Sequence, residues 1–237
     1  MSDLKLLSLV KDSAPASIPE VVSLMESIGS ELANDDGLKW FNFLYLSVTK
    51  EILNRPPAAG WRNAAWLTRL DVVFAGFYFS AIADAVNGKA GLASSWDALF
   101  QARNRRGVDR IQFAIAGMNA HINHDLSLAL LQTNRELEIT MNLNSPEHED
   151  FEHVNDILEV VMPTVLTTLA IGIVGEAIQD TGKIGQMLAF WSVRAARDLA
   201  WDFAGHLSTL DAPGREFAVF AQDKITGVLG RAVLIPI

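Results

Sequence analysis

The segment from Ile111 to Leu131 is an apolar run with helical spacing that carries several polar side chains near its middle. A helix that is apolar on most of its sides has to be buried, so the rest of the chain must pack around this one. A buried polar group costs free energy unless it is hydrogen-bonded. The sequence therefore predicts a central helix whose polar side chains either pair with neighbours or form a site. These side chains belong to Gln112, Asn119, His121, Asn123, His124 and Asp125.

Helical periodicity, caps and breakers account for the rest of the chain as well, whereas no strand pattern of period two and no long repeat is present. We therefore predict an all-α, single-domain bundle of eight or nine helices without a β-sheet. Residues 1–16 carry no strong period and are expected to form an N-terminal arm before one helical domain over 17–237. The predicted helices run approximately over 18–34, 38–54, 64–86, 96–105, 111–131, 146–163, 164–179, 184–210 and 211–229.

The overall charge and composition exclude several classes of protein. A net charge of -9 argues against a nucleic-acid-binding surface, because only the short run from Arg103 to Arg106 is locally basic. The absence of cysteine excludes disulfides and thiol catalysis. The N-terminus lacks the pattern of a signal peptide, and the longest uncharged segment, Val160 to Gly175, is shorter than the roughly 20 residues of a membrane span. We expect a cytoplasmic protein without an integral membrane segment.

Two residues of the central segment have the spacing of an acid–base pair. On an α-helix, His121 and Asp125 lie one turn apart, and His124 shares their face. The carboxylate can orient the imidazole and raise its pKa, as a catalytic base near neutral pH requires. Asn119 and Asn123 on neighbouring arcs could bind a carbonyl or hydroxyl group. The alternative is a hydrogen-bonded pair that only holds two helices together.

Other helices carry residues that could complete a pocket. Arg194, Arg197 and Trp201 share one face of a late helix, where the arginines could clamp a carboxylate or phosphate or be neutralised by an acid such as Asp71. Aromatic residues would supply apolar walls. We expect these walls to include Tyr45, Phe74 and Tyr78 from two earlier helices, together with Trp201.

A metal site is a second interpretation of the same segment. His121, His124 and Asp125, completed by Asp150 from the next helix, are suitable ligands for zinc, iron or manganese. No HExxH motif and no repeated ExxH pair is present, so the spacing is only suggestive. A third interpretation is a non-catalytic module that binds a ligand or partner, which the high apolar content and the apolar tail after Arg231 favour.

Three motifs resemble those of a bacterial all-helical family of unknown function. They are an Asn-Ala-His-Ile-Asn string from Asn119 followed by Asp125-Leu126, a Phe-Asn-x-Leu-Tyr-Leu-x-Val-Thr string from Phe41, and Arg194-x-x-Arg197-x-x-Ala-Trp. The resemblance extends from about Asp36 to Leu207. It implies a helical fold and a shared polar site, and it supplies no reaction, cofactor or substrate. In that family the position of His124 need not be histidine.

These observations favour a small-molecule enzyme that uses acid–base chemistry in a buried helical pocket. His121 would transfer the proton and Asp125 would orient it, and hydrolysis, isomerisation and cyclisation are all compatible with this pair. No cofactor is required, although a divalent metal would fit the second interpretation. The expected partner is a small-molecule substrate, and a homo-oligomer is possible.

Overall fold

Ten α-helices and one π-helical turn make up most of the residues that a computed structural model of the chain describes, namely 3–89, 91–171 and 192–236. No residue of these ranges lies in a β-strand, so the predicted all-α fold is confirmed. The helices are α1 (Asp3–Lys11), α2 (Ile18–Glu31), α3 (Leu38–Asn54), α4 (Ala64–Val86), α5 (Ser94–Ala102), α6 (Arg110–Ala120), α7 (Leu126–Glu136), α8 (Pro146–Ile171), α9 (Val193–Thr209) and α10 (Ala212–Val233). The π turn, His121–Asp125, joins α6 to α7.

The predicted central helix is the axis of the bundle. Helix α6, the π turn and α7 form one continuous rod, so the described ranges hold nine helices if the rod is counted once. Every residue of α6 after Arg110 is buried. Helices α3, α5 and α10 pack on α6, while α4 and α9 pack on α7 and on the π turn. A helix surrounded in this way has no polar face, as its sequence predicts.

Local sequence signals set several of these boundaries. Helix α3 ends at Asn54, just before two prolines that cannot continue it, and the Asn63 side chain caps α4 by accepting a hydrogen bond from the Trp66 amide. The sequence predicts that one helix ends at Pro163 and another begins at Thr164, but α8 continues through the proline to Ile171. Buried neighbours on both sides of the proline hold that helix against the bundle, and such packing outweighs local propensity. Residues 172–191, which include parts of two predicted helices, lie outside the described ranges.

Both ends of the described chain are packed onto the bundle. Helix α1 buries Leu6 and Val10 against its neighbours, and α4 is one of the helices it contacts. The division into an arm and a domain stays a prediction. After α10, Leu234 is also buried, and the Gln112 side-chain amide donates to the backbone carbonyls of Val233 and Ile235. The polar Gln112 thus fixes the end of α10, and of the described tail residues Leu234 is buried whereas Ile235 is exposed.

Helix α3 approaches the central rod very closely at Gly117. A methyl group placed on this glycine would lie 2.3 Å from the ring of Phe41, which is itself fully buried. No such neighbour lies within 4 Å of Gly76, a helical glycine of α4. Close approach of α3 to α6 therefore depends on the missing side chain at Gly117. Within the described ranges, no helix is both long enough and apolar enough to cross a bilayer.

We predict that Gly117→Ala destabilises the protein by about 1 to 3 kcal/mol, because an overpacked core has to shift a buried ring. Gly76→Ala is the matched control, and it should be neutral or stabilising by up to about 1 kcal/mol, since alanine favours a helix. Urea unfolding followed by circular dichroism measures both. Equal stabilities of the two variants would contradict the close packing described for α3 and α6.

Candidate functional site

The central rod changes its geometry at the predicted polar site. The amide of Leu126 bonds to the carbonyl of His121, five residues earlier, which makes the segment a π turn rather than an α-helix. Such turns insert one extra residue into a helix and are frequent at functional sites. The prediction that His121 and His124 share one face is wrong for this reason. His121 lines an internal cavity, whereas His124 lines a separate groove at the surface beside Asp223.

The imidazole of His121 is held in one orientation. Its Nδ1 atom lies 3.0 Å from Oδ2 of Asp125, so the predicted pair is formed. The ring of Phe74 stacks on the imidazole with 3.5 Å between centroids and 8° between planes, and Tyr45 contacts it edge-on. These contacts fix Nδ1 and one ring face, so the Nε2 edge is the remaining polar position.

Asp125 is fixed from a second direction by Trp96. The indole Nε1 of Trp96 donates a hydrogen bond of 2.9 Å to the same carboxylate oxygen that bonds to His121. Both Trp96 and Asp125 are almost fully buried. Hydrogen bonds from two directions hold the carboxyl group in place, and when Asp125 is ionised it selects the imidazole tautomer that carries its proton on Nδ1. Trp96 was not predicted as part of the site, because no sequence pattern shows which residue on another helix faces Asp125.

The cavity beside His121 has a volume of about 80 Å³. Side chains of α3 and α4 form one part of its wall, and α8 and α9 form another. Four of its lining residues, Tyr45, Asp71, His121 and Arg197, carry polar groups, and the remainder are apolar. The apolar lining consists of Phe41, Leu44, Val48, Ile52, Leu67, Leu70, Phe74, Met118, Ile122, Leu126, Phe151, Val154, Leu158, Met162 and Val193.

Three buried polar atoms of this wall have no hydrogen-bond partner among the residues that the structure describes. They are Nε2 of His121, the hydroxyl of Tyr45 and Oδ2 of Asp71. Leaving a buried donor or acceptor unpaired costs about 1 to 3 kcal/mol, so proteins rarely collect several at one place. All three residues line the same cavity. A bound molecule with a polar end would satisfy these atoms.

Burial sets the ionisation of these groups. It lowers the pKa of His121 well below the ordinary value, and it raises the pKa of Asp125 and of Asp71 to about 7. Burial, followed by the negative charges of Asp71 and Asp125, also raises the pKa of Tyr45. The expectation that Asp125 raises the pKa of the imidazole is wrong, because the loss of water outweighs the carboxylate.

At neutral pH, His121 is therefore an uncharged imidazole. When Asp125 is ionised, it can only accept a hydrogen bond, so the proton of the imidazole lies on Nδ1. Nε2 then carries a lone pair, and this atom has no partner among the described residues. An oriented imidazole with a free lone pair in an apolar cavity is suited to removing a proton from a bound molecule.

Several predicted binding residues do not face this cavity. The side-chain nitrogen of Asn119 donates a hydrogen bond to the backbone carbonyl of Thr226, and its side-chain oxygen accepts one from Asn123. Asn119 therefore connects the central rod to α10. Tyr78 donates its hydroxyl proton to Asn42 and packs around His121 from outside the lining. Trp201 is buried against Trp66, His148 and Phe151. Helical spacing places residues on a face, but it does not show which neighbour covers that face.

The predicted arginine pair is divided between the surface and the cavity. Arg194 forms ion pairs with three carboxylates of α8, those of Glu152, Asp156 and Glu159. Arg197, one turn further along α9, is 6 % exposed and lines the cavity. Only Arg197 is thus placed to meet a ligand in this cavity.

The four residues proposed as metal ligands are not brought together. Asp150 accepts hydrogen bonds from the amides of Arg62 and Asn63 at the start of α4, and His124 faces the surface groove. Across 3–89, 91–171 and 192–236, no group of three or more histidine, aspartate or glutamate side chains has the arrangement of a metal site. The ligand set predicted from His121, His124, Asp125 and Asp150 is therefore wrong.

The fold and the site together define an all-α protein with a buried histidine–aspartate pair beside an internal cavity. The chain belongs to DUF5995, a family of unknown function whose model matches residues 18–236. This confirms the resemblance to an all-helical family of unknown function. Comparison with curated proteins found no match, and comparison with solved structures found none.

The raised pKa of Asp71 predicts a pH-dependent gain in stability for Asp71→Asn. The folded carboxyl titrates near 7 and the unfolded one near its ordinary 3.8, so folding becomes less favourable as pH rises between these values. The amide cannot ionise. We expect Asp71→Asn to be more stable than the wild type by about 2 to 4 kcal/mol at pH 8, and the advantage to vanish near pH 4.

Chemical unfolding across this pH range measures the effect. Asp202→Asn, a change of an exposed carboxylate on α9, is the control and should alter stability little at any pH. A loss of stability at pH 8 in Asp71→Asn would show that the carboxylate has a stabilising partner, contrary to the structure.

Proposed function

We propose that this protein is an enzyme that transfers a proton to or from a small, partly apolar molecule, with His121 as the base. The observation that carries the proposal is the unpartnered Nε2 atom of a buried, neutral and oriented imidazole at the wall of a cavity. Asp125 acts as a positioning residue through its hydrogen bond to Nδ1. As Nε2 gains a proton, the adjacent carboxylate stabilises the imidazolium that forms.

The polar groups near His121 are suited to a substrate oxygen. The Tyr45 phenol keeps its proton at neutral pH, and Asp71, with a pKa of about 7, is protonated in a substantial fraction of molecules. Both can donate a hydrogen bond to an oxygen on which negative charge develops. A phenol and a protonated carboxyl group in an apolar pocket form an efficient oxyanion site of this kind.

This combination favours proton removal from a carbon next to a carbonyl group. The carbonyl oxygen would accept bonds from Tyr45 and Asp71, while Nε2 of His121 takes the proton from the adjacent carbon. Returning the proton to a different atom completes an isomerisation. In a cyclisation, the carbanion attacks the carbon of a second carbonyl group in the same molecule, the π electrons of that C=O bond move to its oxygen, and this oxygen takes the proton from the His121 imidazolium. No serine, threonine or lysine is among the described lining residues. This composition disfavours hydrolysis through a covalent acyl intermediate.

A non-catalytic ligand-binding module is the second candidate, because the same cavity and unpaired groups would hold a ligand without reaction. The two candidates differ in what His121 does. In a ligand-binding module, His121 contributes only a hydrogen bond to the ligand. Substitution of His121 would then weaken ligand binding, and there would be no reaction whose rate could change.

The experiment uses simple ketones, such as butanone and cyclohexanone, as probes of a general base. In deuterated buffer, removal of a proton next to the carbonyl replaces it by deuterium, which proton NMR detects. We expect the wild-type protein to accelerate this exchange. His121→Asn preserves a donor toward Asp125 but removes Nε2, and it should reduce the acceleration by about 100-fold or more. His206→Asn, at an exposed histidine of α9, should leave the rate unchanged.

Equal exchange rates for the wild type and His121→Asn would overturn the proposal. Binding of the ketones without any acceleration of exchange would favour the ligand-binding module. Unfolding measurements on both variants show whether a loss of rate reflects a loss of structure. The catalytic account predicts that His121→Asn is at least as stable as the wild type, because functional groups held unpaired reduce stability.

A further inference from the structure

We propose that Arg197 binds a carboxylate group of the substrate, so that the preferred substrates are oxo-carboxylic acids with an apolar segment between the carboxylate and the carbonyl. The assignment of the carbonyl end rests on the proposed function. The assignment of the carboxylate end rests on Arg197 and its surroundings alone.

Arg197 is a buried cation at the cavity wall, and none of the acidic residues that the structure describes forms an ion pair with it. Its Nε donates to the Asn155 side-chain carbonyl, one terminal nitrogen contacts the Phe151 carbonyl, and the guanidinium lies 4.2 Å from the centre of the Phe151 ring. These contacts orient the guanidinium without neutralising it. Among the described residues, no carboxylate oxygen lies within 4.0 Å of its nitrogens.

The acidic residues nearest to Arg197 are engaged with other groups. Glu152 pairs with Arg194 and also accepts a bond from the Asn155 amide, and Asp198 accepts a bond from that same amide. Asn155 thus stands between Arg197 and both acids. Glu152 and Asp198 affect the pKa of Arg197 only through their negative charges, and neither carboxylate is hydrogen-bonded to the guanidinium.

Arg194, one turn earlier on α9, is an arginine whose positive charge is balanced by acidic partners. It pairs with three carboxylates at the surface, although a surface arginine is already well solvated. Arg197 is buried and has none of these pairs. An unpaired buried charge is strongly unfavourable, so its retention at the wall of a cavity indicates an anion that arrives with the ligand.

The guanidinium retains its charge in this position. Burial lowers the pKa of Arg197 to about 10, which leaves it protonated at neutral pH. A guanidinium fork matches the two oxygens of a carboxylate, and a single arginine balances the single charge of that group.

The polar groups of the cavity wall come from different elements. Arg197 is supplied by α9, whereas Tyr45, Asp71 and His121 are supplied by α3, α4 and the π turn. The other described lining residues are apolar. A ligand that fills the cavity would carry its negative charge at one end and its carbonyl at the other.

The test compares levulinate and its longer-chain homologues with their methyl esters, which keep the ketone but lack the charge. Ligand binding is measured as the increase in melting temperature with ligand concentration. Deuterium exchange next to the ketone is measured in the same samples. We expect at least one acid of the series to bind more tightly than its ester. Arg197→Met should weaken binding of that acid by about 10- to 100-fold and leave binding of the ester nearly unchanged.

Arg194→Met, a change of the surface arginine one turn earlier on α9, is the matched control and should not alter binding of the acid. If Arg197→Met does not fold, Arg197→Lys provides the second variant. Lysine retains the positive charge but lacks the paired N–H groups of the guanidinium. Arg197→Lys should therefore weaken binding of the acid by a smaller factor than Arg197→Met. The comparison of acid with ester in the wild type needs no variant.

The results separate this inference from the proposed function. If the acids bind through Arg197 but exchange is the same in His121→Asn, the carboxylate site stands and the catalytic proposal fails. If exchange requires His121 and acids bind no better than esters, catalysis stands and the carboxylate site is overturned. Failure of every acid in the series to stabilise the wild type overturns it as well.

Discussion

The hydrogen bond between His121 and Asp125 across the π turn is the interaction on which the site depends. The turn places an extra residue in the central rod, so that His124, although buried, lines a separate groove while His121 lines the cavity and pairs with Asp125. Trp96 holds the carboxylate and Phe74 holds the ring. The pair is buried so deeply that loss of water, rather than the attraction between its members, controls both pKa values. The result is a neutral base in an apolar wall.

The bundle supports this pair by surrounding it with rigid elements. Close packing of α3 on the rod at Gly117 brings Phe41 and Tyr45 toward the imidazole, and α4 supplies Phe74 and Asp71. Catalytic groups on packed helices keep their positions better than groups on loops. The Tyr45 hydroxyl and Oδ2 of Asp71 have no hydrogen-bond partner among the described residues, and unpaired buried groups of this kind reduce the stability of a folded protein. Function and stability are commonly opposed in this way at sites prepared for a ligand.

The sequence predicted the parts of this arrangement that depend on local signals. Apolar spacing with caps and prolines placed α3 and α4, and the polar segment correctly indicated the buried pair of His121 and Asp125. The π turn could not be predicted, because α-helical spacing assumes a constant number of residues per turn. The different environments of Arg194 and Arg197 could not be predicted either. They depend on which face of α9 meets α8, and this contact joins residues far apart in the chain.

The central claim is that His121 is a neutral base whose Nε2 lone pair is available in the cavity. Nitrogen-15 NMR of the histidine rings tests it directly, because the two ring nitrogens have distinct shifts in each tautomer and in the charged form. The account predicts that His121 stays neutral from about pH 6 to 8 and carries its proton on Nδ1 once Asp125 is ionised. A charged imidazolium at neutral pH, or a proton on Nε2 where Asp125 is ionised, would contradict it.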